Sequence, residues 1–249
     1  MQAIIMAAGK GSRLSKVTHG KPKSFVQIKG NRLIDYNIAL LRHHGISPIA
    51  IVTGYCFQAF DDEFISAQDI ELIYNPFYEQ VNVLGSFWAG MHCLDDDFLF
   101  IHADSICDPD LFADLVVAQG DIVLPVDYDT YNEEAMGVRC VKGRVVEISK
   151  KIPIGDAEGE FIGLAKIAGR VLPQLKAETV NLLKTGAFSE YFEAALQSLI
   201  VRGIFKITLL PTKGRFWAEI DFAEDYERAS LKIPDSLVRL AINRRSYGE

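Results

Sequence analysis

An α/β fold on a doubly wound sheet, mixed but mainly parallel and gaining antiparallel strands late in the chain, is predicted by three observations. Short apolar runs alternate with amphipathic stretches through the first half. A glycine-rich turn follows directly on the first of these runs. The composition, 49% hydrophobic and 24% charged over 249 residues, is that of an ordinary globular chain with a well-filled core.

The elements follow in order. Ala3-Ile4-Ile5-Met6 reads as a buried strand, a helix spans about Leu33 to His44, and Ile49-Ala50-Ile51-Val52 is the next strand, a βαβ rhythm. It continues through Ile70 to Tyr74, a helix near Ser86 to Cys93, the strand Phe98-Leu99-Phe100-Ile101, a helix after Pro109, and Ile122-Val123-Leu124. From about Ala135 the strands shorten: MGVRCV and GRVVEIS are joined by Lys142-Gly143, a hairpin turn. FIGLAKIA reads as one further strand, followed by two helical stretches, IFKITLL, and a helical tail from Phe222. No repeat or linker interrupts the pattern, so the expectation is one domain over 1–249.

Composition excludes several functions. A net charge of -7 argues against a nucleic-acid or anionic-membrane surface, so an anionic ligand must be held locally. Cys56, Cys93, Cys107 and Cys140 form no Cys-x-x-Cys pair and suggest neither a zinc ribbon nor a disulfide framework. The opening MQAIIMAAGKGSR is too short an apolar run for a signal peptide, and no eighteen apolar residues run together. The expectation is a reduced, cytoplasmic chain with no membrane insertion; the oligomeric state stays open, with a homodimer compatible.

Chemistry concentrates after the first strand, in Ala7-Ala8-Gly9-Lys10-Gly11-Ser12-Arg13-Leu14 followed by Lys21-Pro22-Lys23. A glycine-rich turn lets backbone N–H groups approach phosphates, and the basic side chains add countercharge. A dinucleotide fingerprint fails because Leu14 stands where a third glycine belongs, and a Walker loop fails because Ser15 precedes Gly20-Lys21 and Pro22 follows. The glycines alone fit a tight strand-to-helix turn. Lys10, Arg13, Lys21 and Lys23 together, in an acidic chain, call for an anion between them.

AAGKGSRL with KPK resembles the signature of the sugar-phosphate nucleotidyltransferases, and the segments discussed next resemble their phosphocholine and 2-aminoethylphosphonate cytidylyltransferase branch. The resemblance implies a Rossmann-like nucleotidyltransferase fold in which residues 1–126 bind the NTP and residues 127–249 carry the acceptor site and a second metal ligand. It implies that Ala8, Gly9, Lys10, Gly11, Arg13 and Lys23 cradle the triphosphate of CTP.

Ile101-His102-Ala103-Asp104-Ser105 lies at a strand end, where open α/β sheets place ligands. Asp104 fits either a cap of the next turn or a Mg2+ ligand, since Mg2+ takes one or two carboxylates plus phosphate oxygens. In Trp217-Ala218-Glu219-Ile220-Asp221, the resemblance makes Asp221, with Glu219 beside it, the partner of Asp104 on the metal; Asp221 equally fits a helix N-cap with Glu224 completing a capping box. In Gln80 to Trp88, Asn82 and Ser86 resemble the residues that read the cytosine, and they also fit a plain helix start.

For the acceptor, Lys150 falls where relatives contact the acceptor phosphate, with a solvated strand end as the alternative. Asp127 to Glu134, containing Asp129 and Glu133, suits an ammonium group through ion pairing and aromatic contact, with a solvated acidic loop as the alternative. An anionic acceptor can attack the α-phosphorus directly, so no general base is expected and positioning carries the catalysis. The expected activity is Mg2+-dependent transfer of CMP from CTP to a small phospho- or phosphono-acceptor. 2-Aminoethylphosphonate ranks level with phosphocholine and above sugar phosphates. The rivals are a sugar-1-phosphate nucleotidyltransferase and a non-catalytic nucleotide-binding regulator.

Overall fold

The computed structural model describes residues 1–129, 131 and 134–245. Its central strand is β1 (Gln2–Ala7), buried along its whole length. Strand β1 has helices on both faces, so its sequence is a continuous apolar run rather than an alternation. Ala3 and Ile5 point into one core, with Leu33 and Leu40 of α2 (Leu33–His43). Ile4 and Met6 point into the other, with Leu84 and Phe87 of α4 (Val83–Gly90). Each fully buried isoleucine contributes on the order of 1.5–3 kcal/mol. This two-faced packing is what "doubly wound" means physically.

Between β1 and α2 lie a short helix α1 (Ser15–Thr18) and a small antiparallel pair, β2 (Gln27–Ile28) with β3 (Asn31–Arg32). On one side of β1 the sheet continues with parallel strands β4 (Ile49–Thr53) and β5 (Ile70–Tyr74), linked by α3 (Gln58–Phe64). On the other side β1 pairs in parallel with β6 (Phe98–His102). The chain thus reverses its direction of strand addition at β1. The crevice outside the carboxyl ends of β1 and β6 is the place such a sheet offers a ligand.

Beyond β6, β7 (Ser105–Cys107) leads into α5 (Pro109–Val117), whose N-cap is Asp108, its carboxylate accepting from Asp110 N at 2.8 Å. Strand β8 (Ile122–Asp127) rejoins the sheet, and β9 (Gly137–Val141) with β10 (Arg144–Ser149) forms the expected hairpin. Lys142 and Gly143 both take positive φ, 50° and 74°, as the tight turn between twisted strands requires.

The run FIGLAKIA, read from sequence as one strand, is divided. Strand β11 (Gly159–Phe161) is antiparallel to β8 and β9, whereas β12 (Leu164–Ile167) lies between β6 and β8. The break falls at Gly163, at φ +81°, where a Cβ would stand 2.6 Å from Ser105 Oγ. The late strands are antiparallel apart from β13 (Ile207–Pro211), which follows α6 (Leu172–Lys184) and α7 (Glu193–Arg202) and runs parallel to β8.

A further pairing went unread in the sequence. Strand β14 (Trp217–Glu219) lies antiparallel to β7, with Glu219 opposite Ser105, and Ile220 N donates to Asp104 O at 3.1 Å. Helices α8 (Ala223–Lys232) and α9 (Asp235–Arg245) then return the chain to the first core, where Ala229, Leu237 and Ala241 pack. No helix among the described residues is long and apolar enough to cross a membrane, and all four cysteines are free.

Candidate active site

The site is organised around one ammonium group. Gly11, at φ +65°, bends the loop after β1 so closely over Lys23 that a Cβ there would meet Lys23 Cβ at 2.8 Å. No other residue type fits that turn without displacing the lysine. The Lys23 side chain crosses the crevice and donates to Asp104 Oδ2 at 2.5 Å and to Asp221 Oδ1. Asp104 is presented by the turn after β6, and Asp221 by the turn after β14. The β7–β14 pairing brings those two turns together.

Charge is unevenly balanced here. Burial opposes the charged form of Lys23, yet Asp104 and Asp221 outweigh it and raise the ammonium above its usual range. Burial likewise acts to raise Asp104, and Lys23 overrides it, holding the carboxyl below the usual range. At Glu219 the balance runs the other way: burial first, then the charges of Asp104 and Asp221, push it up to about 8 against the opposing charges of Lys23 and Lys150. Glu160, opposite Asp127 on β11, is pushed up to about 7 by burial, with Glu219 and Asp127 adding. Ligand atoms of His102, Asp104 and Glu219 lie within 4.8 Å of one another. Such a surplus of converging carboxylates attracts a further cation.

Three connected hollows surround this centre. A cavity of about 180 Å³ is lined by Ala8, Gly9, Asn82, Ser86, His102 and Asp104. A wider cleft of about 520 Å³ contains Gly11, Arg13, Lys23, Lys150, Tyr191 and Glu193. Across Glu219 and Asp221, a cleft of about 590 Å³ contains Asp127, Asp129, Glu160 and Trp217.

Most residues singled out from the sequence lie on these walls. Asn82 is the N-cap of α4, accepting from Val83 N at 2.8 Å and donating to Ser189 O at 3.1 Å. Ser86 Oγ accepts from Asn75 Nδ2 at 3.1 Å. Both thus support the cavity wall as well as facing it. Arg13 is exposed, 3.4 Å from Glu134 and 5.0 Å from the Phe222 ring centroid. Lys150 Nζ lies 4.7 Å from the Tyr191 ring centroid. Asp129 stands in the third hollow, its N donating to Asp127 Oδ1 at 3.1 Å. Lys10 is exposed over the Tyr55 ring at 5.4 Å and lines none of the three. Glu133 lies outside the described residues.

The helix caps near the site are made by other carboxylates. Asp108, not Asp104, caps the helix that follows β7. The capping carboxylate of α8 is Asp225, which accepts from Asp221 N at 3.1 Å and Phe222 N at 2.9 Å, so Asp221 keeps its side chain for Lys23. Sequence reading missed Glu193, only 2% exposed, with neither oxygen accepting a hydrogen bond. An acid at an ordinary helix start carries no motif.

Comparison with known proteins fits this geometry. The chain is 29% identical over 251 residues to the CTP:phosphoglutamine cytidylyltransferase of Campylobacter jejuni, covering 91% of this chain and 98% of the relative. It is 31% identical over 134 residues to the choline-phosphate cytidylyltransferase of Streptococcus pneumoniae, covering 54% of this chain and 55% of that one. Its fold is shared with the inositol-1-phosphate CTP transferase from T. maritima, at a TM-score of 0.74 and 21% identity, over 96% of this chain and 94% of that one. The model of the MobA-like NTP transferase domain matches residues 3–180, a span that holds the glycine loop, Lys23 and Asp104, and the chain belongs to that family.

Proposed function

We propose that the protein is a cytidylyltransferase that joins CMP from CTP to a small phosphorylated or phosphonylated acceptor and releases pyrophosphate. The observation that carries this reading is the convergence of Asp104 and Asp221 on Lys23 beneath a glycine-rich loop. Full-length similarity to a cytidylyltransferase supports the choice of CTP over the NTPs that make sugar nucleotides.

In this reading the cytosine enters the cavity beside Ala8, Asn82 and Ser86. The triphosphate lies along Gly9, Gly11 and Arg13, with Lys23 at its base, and Lys10 contributes long-range charge from the loop's outer face. Lys150 meets the acceptor phosphate in the adjoining cleft, and Asp129 stands in the neighbouring hollow. An acceptor oxygen then forms a bond to the α-phosphorus as the bond to the β-phosphate oxygen breaks. The acceptor is already anionic, so no side chain need remove a proton. The cationic loop stabilises the charge that grows on the departing pyrophosphate.

The residues present fit a hard divalent cation such as Mg2+. Asp104 and Asp221 already converge on one cation, and Glu219 stands within ligand distance of Asp104. These three would hold it, and the bound ion would supply charge neutralisation at the α-phosphate. A non-catalytic nucleotide binder has no use for three half-buried carboxylates gathered around that point, since each costs desolvation.

The test is pyrophosphate release from each NTP in turn, with Mg2+ and a panel of phospho- and phosphono-acceptors. CTP is expected to be used best. Preferred use of UTP with a sugar phosphate sinks the cytidylyltransferase reading, and release from no combination sinks the enzyme.

A further inference from the structure

A cluster of nitrogen, sulfur and oxygen donors lies at the other end of α4 from Asn82. That helix runs on into a 3-10 turn, Met91–Cys93, where Cys93 Sγ stands 3.4 Å from His92 Nε2. Glu71, on β5, points to the same face of the sheet as Ile73, which packs with Leu84 and Phe87 of α4, and so reaches the same spot. One ligand atom from each of Glu71, His92 and Cys93 lies within 4.8 Å of the other two. Gln2, which opens β1, donates from Nε2 to Cys93 O at 3.0 Å. The cluster therefore sits at the amino ends of the parallel strands, opposite the crevice at Lys23.

The donors are prepared for a metal in two respects. Ala89 O can only accept, so its 2.9 Å contact with His92 Nδ1 places a ring proton there and, in the neutral imidazole, turns the Nε2 lone pair toward the thiol. The backbone that carries the thiol is also fixed. Gln2 Nε2 holds Cys93 O, Gln2 Oε1 accepts from Asp95 N at 2.9 Å and Asp96 N at 3.1 Å, and Lys176 Nζ donates to Leu94 O at 2.7 Å. The Nε2 to Sγ separation of 3.4 Å is close to the ~3.5 Å kept by a nitrogen and a sulfur ligand on tetrahedral zinc. Mg2+ takes oxygen ligands and does not suit this set.

We propose that Glu71, His92 and Cys93 form a site for a borderline-soft divalent transition metal of the zinc type, with water completing the tetrahedron. The ion takes the place of the thiol proton, which goes to water. In the metal-free chain burial first, and then Glu71, hold that proton, with the thiol pushed up to about 12. The bound ion neutralises the thiolate and the Glu71 carboxylate together. It also clamps β5, the strand at the sheet's edge, to the helix whose other end lines the cavity assigned to the base. The site is independent of the cytidylyltransferase reading, and either can fail alone.

Titration of the reduced, intact chain with Co2+ in excess Mg2+ tests this. Thiolate bound to Co2+ gives a near-ultraviolet charge-transfer band, which His102, Asp104 and Glu219 cannot give because they carry no sulfur. The band is expected to develop in the wild type and to be displaced by Zn2+. Cys93→Ser, with Cys56, Cys107 and Cys140 retained, is expected to abolish it. His92→Ala should weaken Co2+ binding at this site by about 100-fold, and Glu71→Gln by about tenfold. All three side chains are at least partly exposed, so the variants are expected to fold. Zn2+ should raise the Tm of the wild type by a few degrees more than that of Cys93→Ser. Absence of the band in the wild type overturns the proposal, and a band that survives in Cys93→Ser overturns it by assigning the sulfur to another cysteine. Equal Tm shifts in the two proteins overturn the clamp.

Discussion

The two walls that meet at Lys23 are made differently. The wall proposed for the triphosphate comes from one short stretch, residues 8–26, laid over the ends of two parallel strands whose side chains are almost completely buried. The opposite wall is gathered from Lys150, Glu160, Glu193 and Glu219, on four separated elements. It carries buried acids, two of which are pushed up to about 7 and 8. A triphosphate is always the same shape, so a contiguous loop on a rigid platform can fit it. A wall of separate pieces can vary one residue at a time to suit different acceptors.

The sharpest test of that contrast is the point where the walls join. Asp104→Ala and Asp221→Ala are each expected to lower kcat by about 10³-fold or more while leaving Tm within a few degrees. Near-normal turnover at saturating Mg2+ in either would show that the two carboxylates are structural. Next in size, Lys23→Ala should cost roughly 10²–10³ in kcat/KM for CTP. Arg13→Ala, whose side chain is exposed, should cost about tenfold. An equal loss in the two would mean that the loop acts as a diffuse charge rather than through one placed ammonium.

Legibility follows the same division. The N-terminal loop could be nominated because glycines and cations lie side by side, and Asp104 because it ends an apolar strand. Asp221 could be nominated but not separated from a capping role, since the deciding group, Asp225, acts through backbone geometry. Strands β7 and β14 are three residues each, too short to show a period of two. Glu193 and Glu160 went unassigned because burial of a single acid is set by tertiary packing and leaves no mark in sequence. The break of FIGLAKIA was signalled only by Gly163, an ordinary residue until Ser105 is placed against it.

Smaller effects probe the second wall. Glu160 binds its proton more tightly folded, with a pKa of about 7, than at its ordinary value of 4.5. The folded state therefore holds the proton over an interval in which the unfolded chain has released it, and stability falls as pH rises from about 4.5 to about 7. Glu160→Gln should remove that loss, raising Tm by a few degrees at pH 8 and leaving it almost unchanged near pH 4.5. A parallel shift at both pH values would assign the effect to packing. Smallest, Asn82→Ala should cost about 1 kcal/mol of stability as a lost N-cap and raise the KM for CTP several-fold. A stability loss with no change in KM would restrict Asn82 to the helix.

Lys23 has partners 81 and 198 residues further along the chain, and this imposes an order on the protein's manufacture. The ribosome delivers the lysine and its first carboxylate first, and delivers Asp221 only after a much longer stretch of chain. At about 5–20 residues per second the interval between the two is on the order of ten seconds. Throughout it the emerging chain has the loop proposed for the phosphates but only one of the two carboxylates proposed for the reaction centre. On that proposal a nucleotide that meets the nascent protein finds its phosphate contacts before the centre that would spend it.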